Sequence, residues 1–187
     1  MARLPLLTAE NAGEEARGVL EILPATLNIF RIMAHAETTF APQLQLGSAI
    51  LTRQKLSHID RELLILLVSK VEGGEYEWHQ HCPIALAVGI TQSQIDALER
   101  LEFSADHFSP PQQALLAFGH QVIENVRTDS ETFGTLKENF SDQEVVEMIL
   151  TIGFYMTMVR LTETTETDLD DADGVHVFES ARAEADS

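Results

Sequence analysis

Leu63-Leu-Ile-Leu-Leu-Val68 is apolar at every position, and this run limits the possible folds more than any other stretch of the chain. Ser57 upstream, with Asp60 at the capping-box position, marks a helix start. A helix that is apolar on every side has no face to offer water. It must be buried all round, inside a helical bundle or against a neighbouring subunit. No longer unbroken apolar run occurs, and this one is far shorter than the roughly 20 residues of a membrane span.

Helical periodicity extends over nearly the whole chain. Across residues 142–162, Val145, Ile149, Ile152, Met156 and Val159 form one apolar stripe, opened by a Ser141/Glu144 capping box. Leu115, Phe118, Val122 and Val126 form another behind Ser109-Pro110-Pro111, where proline suits a first helical turn. Thr91 and Gln94 cap a short helix reaching Leu101, and Gly89 is placed to end the helix before it. Further helices are expected at about 9–23, 25–35, 38–52 and 130–139. Nothing combines β-branched residues, strict alternation and hairpin turns, so the predicted fold class is all-α. The 187 residues suit one domain with a real core.

The net charge of −18 and the scattered 12 Lys and Arg exclude a basic surface for nucleic acid or anionic membranes. From Glu163 onward there are nine acidic residues and one Arg, the pattern of a solvated tail. Asp168, Asp170, Asp171 and Asp173 lack the Glu-terminated spacing of an EF-hand. The N-terminus shows no signal-peptide pattern, which points to a cytoplasmic protein. Cys82 is the only cysteine, so intrachain disulfides and Cys-only zinc sites are out; a small apolar residue on a helix is expected to be packed away.

Gly73-Gly74 breaks the all-apolar helix from a second one over about 75–87, giving a helical hairpin. Its second arm opens with Glu75, Tyr76, Glu77, Trp78, His79 and His81. Glu77 and His81 are four apart and share a helix face. A carboxylate beside an imidazole fixes its tautomer and suits it to acid–base work near neutral pH. Tyr76 and Trp78 can wall such a site, and Glu62, one turn into the first arm, can point into the hairpin. The plainer alternative is that acids in a first turn answer the helix dipole, and that a Glu–His pair at this spacing is a surface contact worth only ~0.2–0.5 kcal/mol. No metal site is expected: His79 and His81 diverge on a helix, and neither HExxH nor Glu-x-x-His occurs.

Arg61-Glu62-Leu-Leu-Ile-Leu-Leu-Val, then Gly-Gly-Glu75-Tyr-Glu-Trp-His-Gln-His81, then Ile84-Ala-Leu-Ala-Val-Gly-Ile90-Thr and Ile95, resembles the carboxymuconolactone decarboxylase family of the alkylhydroperoxidase D-like superfamily. The resemblance runs from about Leu27 to Asp168, including Gly153 and Arg160. It divides the chain into an N-terminal helical segment (1–24), a decarboxylase-like helical domain (25–168) and an acidic tail (169–187). It implies a homotrimer or homohexamer with no cofactor. The superfamily's peroxidase branch uses a Glu, a Cys-x-x-Cys pair and a His; these fall on Glu62, Gly74, Glu77 and His81. Both thiols are therefore missing, and Cys82 is out of register.

The resemblance thus implies a lyase of the 4-carboxymuconolactone decarboxylase type, active on a small carboxylated ring. His81 would donate a proton to carbon, with Glu77 or Glu62 orienting it. A substrate carboxylate calls for a cation, for which Arg160 and Arg31 are the candidates. The competing expectations are a peroxidase-like protein with a degenerate redox site and a non-catalytic oligomeric ligand-binding protein.

Overall fold

The computed structural model describes residues 2–23, 25–104 and 106–170. Those residues form nine α-helices and no strand: α1 (Glu14–Leu20), α2 (Asn28–Met33), α3 (Glu37–Arg53), α4 (His58–Glu72), α5 (Glu75–Ala87), α6 (Gln92–Glu99), α7 (Pro110–Asn125), α8 (Ser130–Lys137) and α9 (Asp142–Thr165).

Local chemistry sets the boundaries. The Ser57 hydroxyl accepts the amide of Asp60, full capping boxes open α6 and α9 at Thr91 and Ser141, and the Gln112 side chain accepts the Ser109 amide at the start of α7. Gly73, at φ 75°, ends α4 in the left-handed conformation that costs glycine nothing. Val126 ends α7 in that same conformation with 88% of its surface exposed, so it lies outside the stripe that Leu115 and Phe118 bury. The first two helices are shorter than their periodicity suggests, and Ala9 and Leu23, outside α1, pack against the second core without helical backbone.

Helix α4 is the axis of the bundle, packed by α5, α6, α7 and α9. Every residue of 63–68 has no solvent-accessible surface, and the single chain achieves this without a partner subunit. Burying each such side chain stabilises the fold by about 1.5–3 kcal/mol. Gly119 lets α7 lie close, since a Cβ there would stand 2.8 Å from a Leu64 methyl.

In α9 the buried face runs through Val145, Met148, Ile152, Tyr155, Val159 and Thr162. Ile149, counted in the expected stripe, is 45% exposed beside Val146 and Leu150. Val145, Ile152 and Val159 of the expected stripe are buried, and Met148, Tyr155 and Thr162 complete that face. By length and composition alone α9 could cross a membrane, yet 44% of its most apolar window is buried in this fold. A second, smaller core joins α1, α2 and α3 to Tyr76 of α5 and Met158 of α9.

The last described residues fold back on the domain. The Asp170 carboxylate accepts the Asn28 amide (2.8 Å) and the Tyr76 hydroxyl, while the Asp168 carbonyl accepts from the Asn28 side chain at 3.1 Å. The remaining tail, with Asp171 and Asp173, lies outside the described residues.

Candidate active site

The helical hairpin carries Glu62 on α4 against His81 on α5. Glu62 is fully buried, and its Oε2 lies 2.8 Å from His81 Nδ1. Its other oxygen, Oε1, accepts from Arg61 Nη2 (3.0 Å) and Nε (3.2 Å). Arg61 is itself 1% exposed; its Nη1 donates to the Leu51 carbonyl and to His58 Nδ1, each at 2.6 Å. Burial works to raise the Glu62 carboxyl, but His81 and Arg61 together outweigh it and hold the group below the usual carboxylate range. Glu62 is thus a fixed anion, with Arg61 balancing its charge and His81 held by one ring nitrogen. The other nitrogen, Nε2, is left for the cavity that His81 lines.

Glu77 does not orient His81, although the two are on one helix face. Thr162 of α9 donates to both Glu77 oxygens, at 3.1 and 2.9 Å. Burial pushes the Glu77 carboxyl up to about 7, against the lowering effects of Thr162 and His81. It is therefore a carboxyl that exchanges its proton near neutral pH.

The cavity holds about 710 Å³ and lies between the two cores. Its walls are mostly apolar side chains from the α1–α2 region and α3, with Phe154, Tyr155 and Met158 of α9. Polar groups converge at one side: Tyr76, Glu77, Gln80 and His81 of α5, with Tyr155 opposite. Tyr76 is bound by Asp170 and by the Ile29 amide at 3.3 Å; burial, then the Asp170 hydrogen bond, push its phenol well above the usual range.

Several expected site residues lie elsewhere. Trp78 packs against the main core. Arg160 is exposed, bonded to the Met156 carbonyl and to Glu72 at 2.8 Å. Arg31 ties the N-terminal arm through the Leu6 and Leu7 carbonyls and holds the Asn28 side chain. Neither arginine lines the cavity, because each is held by local backbone carbonyls. Arg53, at the end of α3, is the one Lys or Arg on the cavity wall, and no ion pair engages it among the described residues. Sequence spacing had no means of choosing it, since it reaches the cavity only through the packing of α3.

Cys82 is half-buried against the main core and does not line the cavity; burial and nearby Glu99 push its thiol up to about 11. At Gly74 a Cβ would stand 2.5 Å from Val159 Cγ2, so no thiol fits where the peroxidase branch has its first cysteine. Among the described residues no cluster of three or more His, Cys, Asp or Glu is arranged to hold a metal.

The chain matches the Carboxymuconolactone decarboxylase family over residues 38–120, the stretch from α3 to α7 that contains the hairpin. No curated protein matches it in sequence. The fold is similar to that of a peroxidase-related protein with the alkylhydroperoxidase AhpD core from Ralstonia eutropha JMP134 (20% identity over 97% of this chain and 96% of that one, TM-score 0.77). A peroxidase-related protein from Silicibacter sp. TM1040 is similar too (16% identity over 95% of each chain, TM-score 0.76). So is a variant of the debrominase Bmp8 in complex with 2,3,4-tribromopyrrole (16% identity over 97% of this chain and 100% of that one, TM-score 0.73). Such identities speak for the fold alone. The matched segment contains the hairpin, and the fold around it is the all-helical architecture of these AhpD-like structures.

Proposed function

We propose that the protein is a proton-transfer enzyme of the decarboxylase type, acting on a small unsaturated ring that carries a carboxylate. The observation that supports this most is the buried Glu62–His81 pair at 2.8 Å, whose imidazole lines a large apolar cavity. In the reaction the bond from ring carbon to carboxylate breaks, carbon dioxide leaves, and the electron pair enters the conjugated lactone as a dienolate. Protonated His81 delivers the Nε2 proton to carbon and regains one from solvent. Glu62 keeps the ring in one tautomer and orientation, and Arg61 keeps Glu62 ionised and in place. Arg53 is the cavity cation suited to a substrate carboxylate.

The test is turnover of 4-carboxymuconolactone, followed by carbon dioxide release. His81→Gln is expected to lower kcat by ~10²–10⁴-fold, the usual yield of general acid–base catalysis. Full activity in that variant would overturn the assignment. A second reading, a ligand-binding protein without turnover, draws on the size and apolar lining of the cavity. Equal binding of the lactone by wild type and His81→Gln, with no carbon dioxide from either, would favour it. Thiol redox chemistry has little support from a Cys82 outside the cavity and a position 74 without room for a side chain.

The resemblance to trimeric or hexameric proteins adds self-association to the proposal. Exposed Val146, Ile149 and Leu150 on α9 form the apolar face that a second copy would cover.

A further inference from the structure

Tyr155 has a hydroxyl that no hydrogen bond engages among the described residues. The side chain sits on the buried face of α9 and is 4% exposed, yet it lines the cavity. Its ring meets the His81 ring edge to face, with centroids 4.9 Å apart at 88°, and packs against Phe154 on its other side. Other side chains at this wall have partners: His81 has Glu62, Glu77 has Thr162, and Tyr76 has Asp170. The Tyr155 hydroxyl has no hydrogen-bond partner among the described residues, and no buried side-chain polar atom is left unsatisfied there. A hydroxyl with no partner that is not among enclosed unsatisfied atoms has some open surface, and the cavity is the open space that Tyr155 lines. Native proteins rarely leave a polar atom this deep without a partner unless a ligand or water supplies one.

We propose that Tyr155 is a catalytic residue whose O–H donates a hydrogen bond to the substrate oxygen that becomes negative during proton transfer. The inference rests on the proton-transfer reading of the same site. In the decarboxylation step the electron pair freed from the carboxylate bond comes to rest on the lactone carbonyl oxygen. The tyrosine keeps its proton throughout and only shares it, while His81 supplies the proton that forms the new C–H bond. The charged groups around the phenol suit this division of labour. Burial, then Glu62 on α4, hold the phenol un-ionised far above its ordinary range; Arg61 works against this and Glu77 on α5 adds to it. A hydroxyl that cannot ionise remains a donor at any working pH, fixed by its ring packing before the substrate arrives.

Tyr155→Phe keeps the ring, its contacts with His81 and Phe154, and the surrounding packing, so the melting temperature is expected to stay near that of the wild type. With 4-carboxymuconolactone, kcat should fall about 10²-fold with KM little changed, as when one oxyanion donor is removed. A second readout does not depend on the substrate. 4-Nitrophenol absorbs differently as phenol and phenolate, and the wild-type cavity should enrich the bound phenolate at a fixed pH. Tyr155→Phe should abolish that enrichment, whereas an unchanged spectrum with unchanged kcat overturns the proposal. Should the wild type release no carbon dioxide from the lactone, the functional reading fails on its own. The phenolate spectra then still decide Tyr155: loss of enrichment in the variant supports an oxyanion site, and no difference refutes it.

Discussion

Glu62 and Glu77 sit within one hairpin and are pushed in opposite directions, for reasons visible in their partners. Glu62 has a cation and an imidazole in direct contact, so its carboxyl is held low; burial raises Glu77 to about 7 because its own backbone amide, the Thr162 hydroxyl and His81 do not outweigh it. The consequence for stability has a definite sign. Between the unfolded value near 4.5 and the folded value of about 7, the native state holds a proton that the unfolded chain has lost. Glu77 therefore weakens the fold increasingly as pH rises through that window, and the full cost is present above it. Glu77→Gln keeps an oxygen for Thr162 and removes the charge. Its melting temperature is expected to exceed the wild type's at pH 8 and to converge with it by about pH 4, below both pKa values. A variant less stable than wild type at pH 8 would contradict this. The pairing of Glu62 with His81 was legible once a hairpin was drawn, because Gly73-Gly74 turns the two arms face to face. That Thr162 would take Glu77 was not, since 85 residues separate them and only tertiary packing joins α5 to α9.

Helix starts were the most legible elements, since Ser57, Thr91, Ser109 and Ser141 each carry their cap in the local sequence. The face a helix buries was less so. In α9 the core side includes Tyr155 and Thr162, whose polar atoms serve the site, and a hydrophobic count passes over them. The junction of α4 and α5 depends on two glycines for different reasons: Gly73 for its positive φ, Gly74 for the close approach of Val159. A methyl at Gly74 would also stand 3.1 Å from a Glu77 carboxylate oxygen. Gly74→Ala is expected to destabilise the protein by about 1–3 kcal/mol, the usual cost of overpacking. The shift of the urea midpoint at constant m-value measures it. No shift would mean that the start of α5 and Val159 can part without strain.

At the scale of the molecule, the all-apolar helix and the all-α class followed from the sequence, whereas the cavity did not. Its walls come from α1, α2, α3, α5 and α9, which meet only in the finished fold. Arg53 belongs to it for that reason, while Arg31 and Arg160, held by backbone carbonyls elsewhere, do not. Self-association is also a property of this scale. Sedimentation equilibrium is expected to give a mass of three or six chains, and Leu150→Glu should lower it. A wild-type monomer at micromolar concentration would refute the assembly.

Residues 63–68 also bear on how the chain is made. Their cover includes α9, which begins at Asp142 and so leaves the ribosome last among the described helices. At ordinary rates of synthesis the interval is roughly 4–15 s. During that time a wholly apolar helix is without one of its main neighbours, a span in which nascent-chain chaperones have a clear target. The segment that makes the finished protein stable is thus its chief hazard while it is being born.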